Sequence, residues 1–315
     1  MRKFLISIVC FVFLFLLMVV CFLFLIPNKN INGNSLYANI DKHTRLDSLP
    51  SPKIIFVGGS NLAYGLDSKR IQDSLGIPVV NMGLHAGFGL RFMVNEIKPS
   101  VHKGDIVVIS PEYHHFFKEG MLNGEKVLVA LVVDVDRRNL KYLSLGQMLH
   151  LTPFAMKYAV SKIAGKQFDV MDEGTDFYEN RYKRNSFNRY GDENMHWTYP
   201  NREIKKMGMP LSTDKVSEEA IGLISGLNTY VTGREARLMV IPPAFMNGEY
   251  NDYKRIIDQT SGALAESKVP FSIPPERFVY PDSLFFNTIY HLNKKGVDDR
   301  TGVVISMLRK ELNQH

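Results

Sequence analysis

Cysteine is almost missing from this chain of 315 residues: there are two, Cys10 and Cys21, and both lie inside one long apolar run. The rest of the chain therefore has no disulfide framework, no thiolate zinc site and no cysteine nucleophile. A strong surplus of one charge is missing too. With 38 basic against 32 acidic residues the formal net charge is +6, too weak a bias to mark a nucleic-acid partner. No internal repeat is visible. A composition of 45% hydrophobic and 22% charged residues argues against a disordered tail or a collagen-like repeat. The length suits one large domain or two small ones.

What is present begins with that apolar run. Phe4 to Ile26 reads FLISIVCFVFLFLLMVVCFLFLI, plainly polar only at Ser7. As a helix it is about 34 Å long, enough for a bilayer core of about 30 Å. Its exit, Phe-Leu-Ile-Pro-Asn-Lys, has no small-residue cleavage pattern, so a retained signal anchor over residues 1–26 is expected. Arg2 and Lys3 precede it, and the positive-inside rule keeps them in the cytoplasm. The expectation is thus a single-pass cell-membrane protein whose C-terminal part is extracytoplasmic. Residues 27–52, rich in Asn, Ser and charge, read as a linker from membrane to domain.

From Lys53 the pattern alternates. Ile54 to Val57, Ile77 to Asn81, Asp105 to Ser110, Arg237 to Ile241 and Val269 to Ile273 are short apolar runs that read as strands. Ser68 to Leu75, Leu90 to Pro99, Tyr253 to Ser267 and a terminal helix capped by Asn293 read as helices. Unbroken apolar strands between helices imply an α/β domain, residues 53–315, with a parallel sheet covered on both faces. Ligands bind such sheets at the carboxyl ends of the strands. Residues of about 112–222 interrupt the rhythm and read as an insertion.

Two local patterns carry chemistry. Gly58-Gly59-Ser60-Asn61 follows the first strand, and a serine on a tight glycine turn suits a nucleophile with an oxyanion site. The bland alternative is a plain turn; a phosphate loop is excluded, because the Lys-Ser/Thr of that motif is missing. Near the other end, Tyr290-His291-Leu292-Asn293-Lys294-Lys295-Gly296 places a histidine before the last helix, as a general base or as a surface or cap residue.

Together these residues resemble the SGNH (GDSL-like) hydrolase superfamily. Gly58-Gly59-Ser60 matches its nucleophile turn, Asn81-Met82-Gly83 through Gly89 its second-strand glycine loop, and His291 to Gly296 its histidine block. The resemblance implies a three-layer α/β/α, flavodoxin-like domain with Ser60 as nucleophile and His291 as base. It also implies an oxyanion site at the N–H groups of Ser60 and Gly87, with Gly83 as the alternative. With a single N-terminal anchor, the chain looks like members that work with membrane-bound O-acyltransferases, as in alginate acetylation or teichoic-acid D-alanylation. The implied activity is acyl-ester hydrolysis or O-acyl transfer on a cell-envelope glycan, with no cofactor.

Two departures stand beside that resemblance. The family's asparagine donor after the third strand is replaced by Ser110-Pro111-Glu112-Tyr113-His114-His115, and a carboxylate at Glu112 does not donate unless protonated. The family's aspartate, three residues before the histidine, is Thr288 here. Asn287 and Asp282 are the remaining candidates to orient His291. Glu112 and His114, with Asn61, read as substrate-facing residues. Adjacent histidines on extended chain point to opposite sides, so no metal is expected. The stretch Tyr178 to Lys206 mixes Arg181, Lys183, Arg184, Arg189, Arg202, Lys205 and Lys206 with Tyr182, Phe187, Tyr190, Trp197 and Tyr199. It reads either as an anionic-glycan surface or as an ordinary solvated loop, and Asn188 to Asp192 within it as a sharp turn. The competing function is a degenerate domain that binds a polymer or scaffolds an integral membrane acyltransferase.

Overall fold

The computed structural model describes residues 1–27, 33–117, 119–164, 183–204 and 215–313. Strands β1 (Ile54–Gly58), β2 (Val79–Asn81), β3 (Ile106–Ser110) and β4 (Arg237–Val240) form a parallel sheet in the order β2-β1-β3-β4. Alternate strand residues enter two different cores, as the period of two requires. Ile55, Val57, Val107 and Ile109 pack with α5 (Leu90–Ile97) and α9 (Glu218–Thr232). Ile54, Phe56, Ile106 and Val108 pack with α10 (Asn247–Glu266) and α11 (Lys294–Asn313). Burial on both faces is why these strands read as unbroken apolar runs.

The fifth expected strand is reduced to a bridge between Val240 and Phe271. A separate parallel pair, β5 (Phe245–Met246) with β6 (Val279–Tyr280), was not legible, being two residues per strand. Helix α4 (Ser68–Leu75) is capped by Asp67, which accepts from the Arg70 N–H at 3.0 Å, and Gly76 closes it at φ +68. Ser68, the first helical residue, gives its hydroxyl to Asp192 at 2.6 Å.

Half of the expected linker belongs to the domain. Helix α2 (Ala38–Ser48) buries Ala38 and Leu46 in the core and sends Lys42 into the interior. The Lys42 ammonium donates to the carbonyls of Asn81 and Gly83 at 2.8 Å each and to that of Gly191. Burial lowers its pKa to about 7. One apolar column and one buried cation are diluted in a polar composition, which hides such a helix from a compositional reading.

The insertion starts with α6 (Glu119–Asn123), α7 (Lys126–Ala130), a π-helical turn over Leu131–Val135 and α8 (Leu145–Ile163). It returns through a sharp turn at Asn188 to Asp192, with Gly191 at φ +97. There the Tyr190 carbonyl accepts the Asn81 N–H at 2.8 Å and buried Asp192 accepts from Asn81 and Ser68. The turn thereby seals the edge of β2 next to its carboxyl end. The N-terminal helix α1 (Arg2–Leu25) is long and apolar enough to cross a membrane. Only its last turns, from Val19 to Phe24, pack on the domain.

Candidate active site

The loops after β1, β2 and β3 meet at Gly59. A Cβ there would lie 2.7 Å from Glu112 Oε1 and 3.0 Å from Ala86 Cα, so a larger residue would press on both loops. Next to it, partly exposed Ser60 opens the short helix α3 (Ser60–Ala63), and its carbonyl accepts the Tyr64 N–H at 2.9 Å. Residues four apart share a helix face, so the Tyr64 ring stands one turn from the serine. His291 stacks on that ring, centroids 4.2 Å apart and planes 8° from parallel. The serine turn and the histidine therefore share the carboxyl edge of the sheet, although no hydrogen bond joins Ser60 to His291 among the described residues.

His291 is buried, and its Nδ1 lies 2.8 Å from Asn287 Oδ1. An amide oxygen as acceptor keeps the proton on Nδ1 and leaves the lone pair on Nε2, the tautomer a general base needs. Burial first, then the facing His196 and His85, push its pKa down to about 3. The ring is thus neutral at physiological pH. A neutral amide does less than a carboxylate to stabilise an imidazolium formed in a reaction. Asp282 serves elsewhere: it accepts the Gly248 N–H at 2.8 Å, at the start of α10. Of the two orienting candidates, Asn287 is the one that meets the ring.

Five residues assigned from the sequence need correction. The Gly87 N–H donates to His85 Nδ1 at 2.9 Å and the Gly83 N–H to Asn81 Oδ1 at 3.0 Å, so neither points at an incoming oxyanion. These glycines are needed for close approach instead: a Cβ would stand 2.8 Å from Val127 at Gly87 and 2.6 Å from Leu62 at Gly83. Asn61 is not substrate-facing. It is fully buried, donates to the Ser110 carbonyl at 3.0 Å, and receives Arg300 on both its backbone and side-chain oxygens, at 2.7 and 3.2 Å. His114 is buried as well, 3.2 Å from the Tyr290 hydroxyl and edge-on to the rings of Tyr253 and Tyr290. Glu112 lies beneath the serine turn rather than open to substrate; its carboxylate accepts the Asn61 N–H at 3.3 Å. His115 has both nitrogens committed, Nδ1 to the Glu112 N–H at 2.9 Å and Nε2 to the Ala86 carbonyl at 3.1 Å.

Several site residues escaped the sequence reading. Tyr64 carries a signal after the fact, its spacing of four from Ser60. His85 sits inside the glycine loop. His196, from the insertion, pairs with Glu193 through Nδ1, holds the Leu292 carbonyl at 2.9 Å through Nε2, and packs on Tyr64 with centroids 4.8 Å apart. Buried Arg300 ties α11 to the serine turn; burial lowers its pKa only to about 10, so it stays charged there.

Among the described residues of the mixed basic and aromatic stretch, several side chains are engaged with one another or with the domain. Tyr190 is buried and carries Arg45 and Arg189 on its ring, Arg184 pairs with Asp41 at 2.7 Å, and Lys294 covers Trp197. Tyr178, Arg181, Tyr182, Lys205 and Lys206 lie outside the described residues. No protein-family model matches the chain, and no curated protein matches it.

Proposed function

We propose that the chain is a membrane-anchored, extracytoplasmic SGNH-type protein of flavodoxin-like topology, acting as a serine acyl-ester hydrolase or O-acyltransferase on a cell-envelope glycan. The observation that carries this is the stack of His291 on Tyr64, one helical turn from a partly exposed Ser60 on a glycine turn. In the proposed step His291 Nε2 takes the Ser60 proton while Oγ bonds to the acyl carbon. The carbonyl oxygen becomes an oxyanion facing the Ser60 N–H at the start of α3. The ester C–O bond then breaks and the leaving alcohol recovers the proton from His291. Water or a sugar hydroxyl attacks the acyl-serine by the same route in reverse.

A second reading has its own support. The buried Glu112 carboxylate beneath the serine turn, the amide in place of an aspartate, and the committed glycine N–H groups all suit a degenerate domain. Such a domain would bind polymer or scaffold a membrane acyltransferase without turning over an ester.

A fluorophosphonate probe separates the two on the purified full-length protein. Labelling that vanishes in Ser60→Ala supports the enzyme. His291→Ala is then expected to slow labelling by about 100-fold or more, the contribution of a positioned base. Asn287→Ala should slow it clearly and Asp282→Ala should not. A folded protein that takes no label, in cells whose surface-polymer acylation survives Ser60→Ala, supports the scaffold.

A further inference from the structure

The distribution of exposed apolar side chains on the molecule is uneven. Among the described residues, every large hydrophobic side chain that is exposed lies on α1, at Met1 just before it, or on α8. On α8 these are Leu145 at 74% exposure, Met148, Leu149 at 67%, Val160 at 62% and Ile163. Leu145, Leu149, Val160 and Ile163, with half-buried Met156 between them, repeat at helical spacing and make one stripe. The opposite side of α8 buries Leu151, Tyr158, Ala159 and Lys162 against the protein. A soluble domain rarely leaves such a stripe uncovered.

The end of α1 shows what covers it. Lys162 of α8 donates to the Leu23 carbonyl at 2.7 Å, and Arg137 donates to the Phe24 carbonyl while lying over the Phe24 ring. These cations satisfy carbonyls that the last turn of α1 leaves without partners, at the negative end of its dipole. Lys162 is itself held by Asp134 at 2.6 Å. Helix α8 is thus fixed to the C-terminal end of α1, and the two helices that carry the exposed apolar side chains pack together there. Lys157, Arg137 and Arg138 near it are exposed, cations suited to phosphate headgroups.

We propose that the exposed stripe of α8 lies in the lipid leaflet beside the exit of α1, an inference that rests on reading α1 as a membrane span. The consequence reaches the candidate site. His150 of α8 lies 3.1 Å from the Gly124 carbonyl, Gly124 is packed against Gly89, and the Glu125 N–H donates to the Gly87 carbonyl at 2.9 Å. The loop carrying His85 therefore rests on the same residues that seat α8.

Nitrobenzoxadiazole fluorescence in liposomes of pure phospholipid tests this on the full chain. Labels go on Leu149→Cys, Val160→Cys and the distant exposed Lys69→Cys, each in a Cys10→Ala, Cys21→Ala background. Native Cys10, in a Cys21→Ala chain, reports α1. Spin-labelled lipids should quench positions 149 and 160, most strongly with the spin label about 5–10 Å below the headgroups, and should leave position 69 unquenched. Quenching at Cys10 alone overturns the inference and keeps the anchor. No quenching at Cys10 overturns both. Labels at 149 and 160 that are shielded from water yet untouched by lipid quenchers indicate a second copy of the chain on α8, which also overturns it.

Discussion

His291 is the residue on which the candidate chemistry turns, and its burial holds it neutral. Its pKa, about 3 in the folded chain, returns to about 6.5 on unfolding. Between those values the unfolded chain binds the extra proton. Stability contributed by this group is therefore intact above about pH 6.5 and is lost as the pH falls toward 3, by at most about 1.4 kcal/mol per pH unit. Replacing His291 by Gln should flatten the dependence of Tm on pH between 4 and 6.5. Thermal melts across that window check it, and a variant with the wild-type slope sinks the assignment. At this scale the serine turn and the histidine block were readable because each is a local pattern. Tyr64 and His196 were not, because their value lies in contacts with a ring far away in the chain. Neither was the commitment of the Gly83 and Gly87 N–H groups, which depends on the side chains of Asn81 and His85.

Elements buried on two sides announced themselves, and elements with one ambiguous side did not. The strands β1 to β4 read correctly because both faces are apolar, and α11 did because Asn293 marks its start, accepting the Gly296 N–H at 3.1 Å. Helix α2 was missed because its decisive residue is a lysine, which composition counts as surface. Its burial is what docks the helix: one ammonium satisfies three carbonyls that would otherwise be orphaned between α2, the β2 loop and the insertion turn. Lys42→Met keeps much of the volume and removes the donors. Each carbonyl left without a partner costs about 1–3 kcal/mol, so the urea midpoint should fall clearly. Lys69→Met, which removes a surface pair with Asp73, should leave the midpoint within error. Equal midpoints for the two variants would refute the docking role of Lys42.

For the whole molecule, the apolar N-terminal helix and the site are joined by one packed path: α1, the cations at its end, α8, Gly124, and the loop against Gly59. The apolar run was legible from composition alone, but the path was not, since α8 reads from sequence as part of an ordinary insertion. The path removes the picture of a domain swinging on a long tether, because α2 is docked and the last turns of α1 are held by Lys162 and Arg137. Orientation then decides which substrates the site can meet. Arg2 and Lys3 precede the apolar run, and moving such charges outward opposes the positive-inside bias. The domain should therefore lie outside the cytoplasm. In spheroplasts of cells carrying the chain with an added C-terminal tag, external protease should remove the tag and digest the domain, while a cytoplasmic marker survives. Digestion should leave a membrane-bound fragment containing α1, shortened on the far side of its anchored end. A tag and domain that persist until the membrane is opened with detergent would put the site in the cytoplasm. The serine–histidine geometry would stand unchanged in that case, but no cell-envelope glycan would reach it, and the proposed substrate class would have to be abandoned.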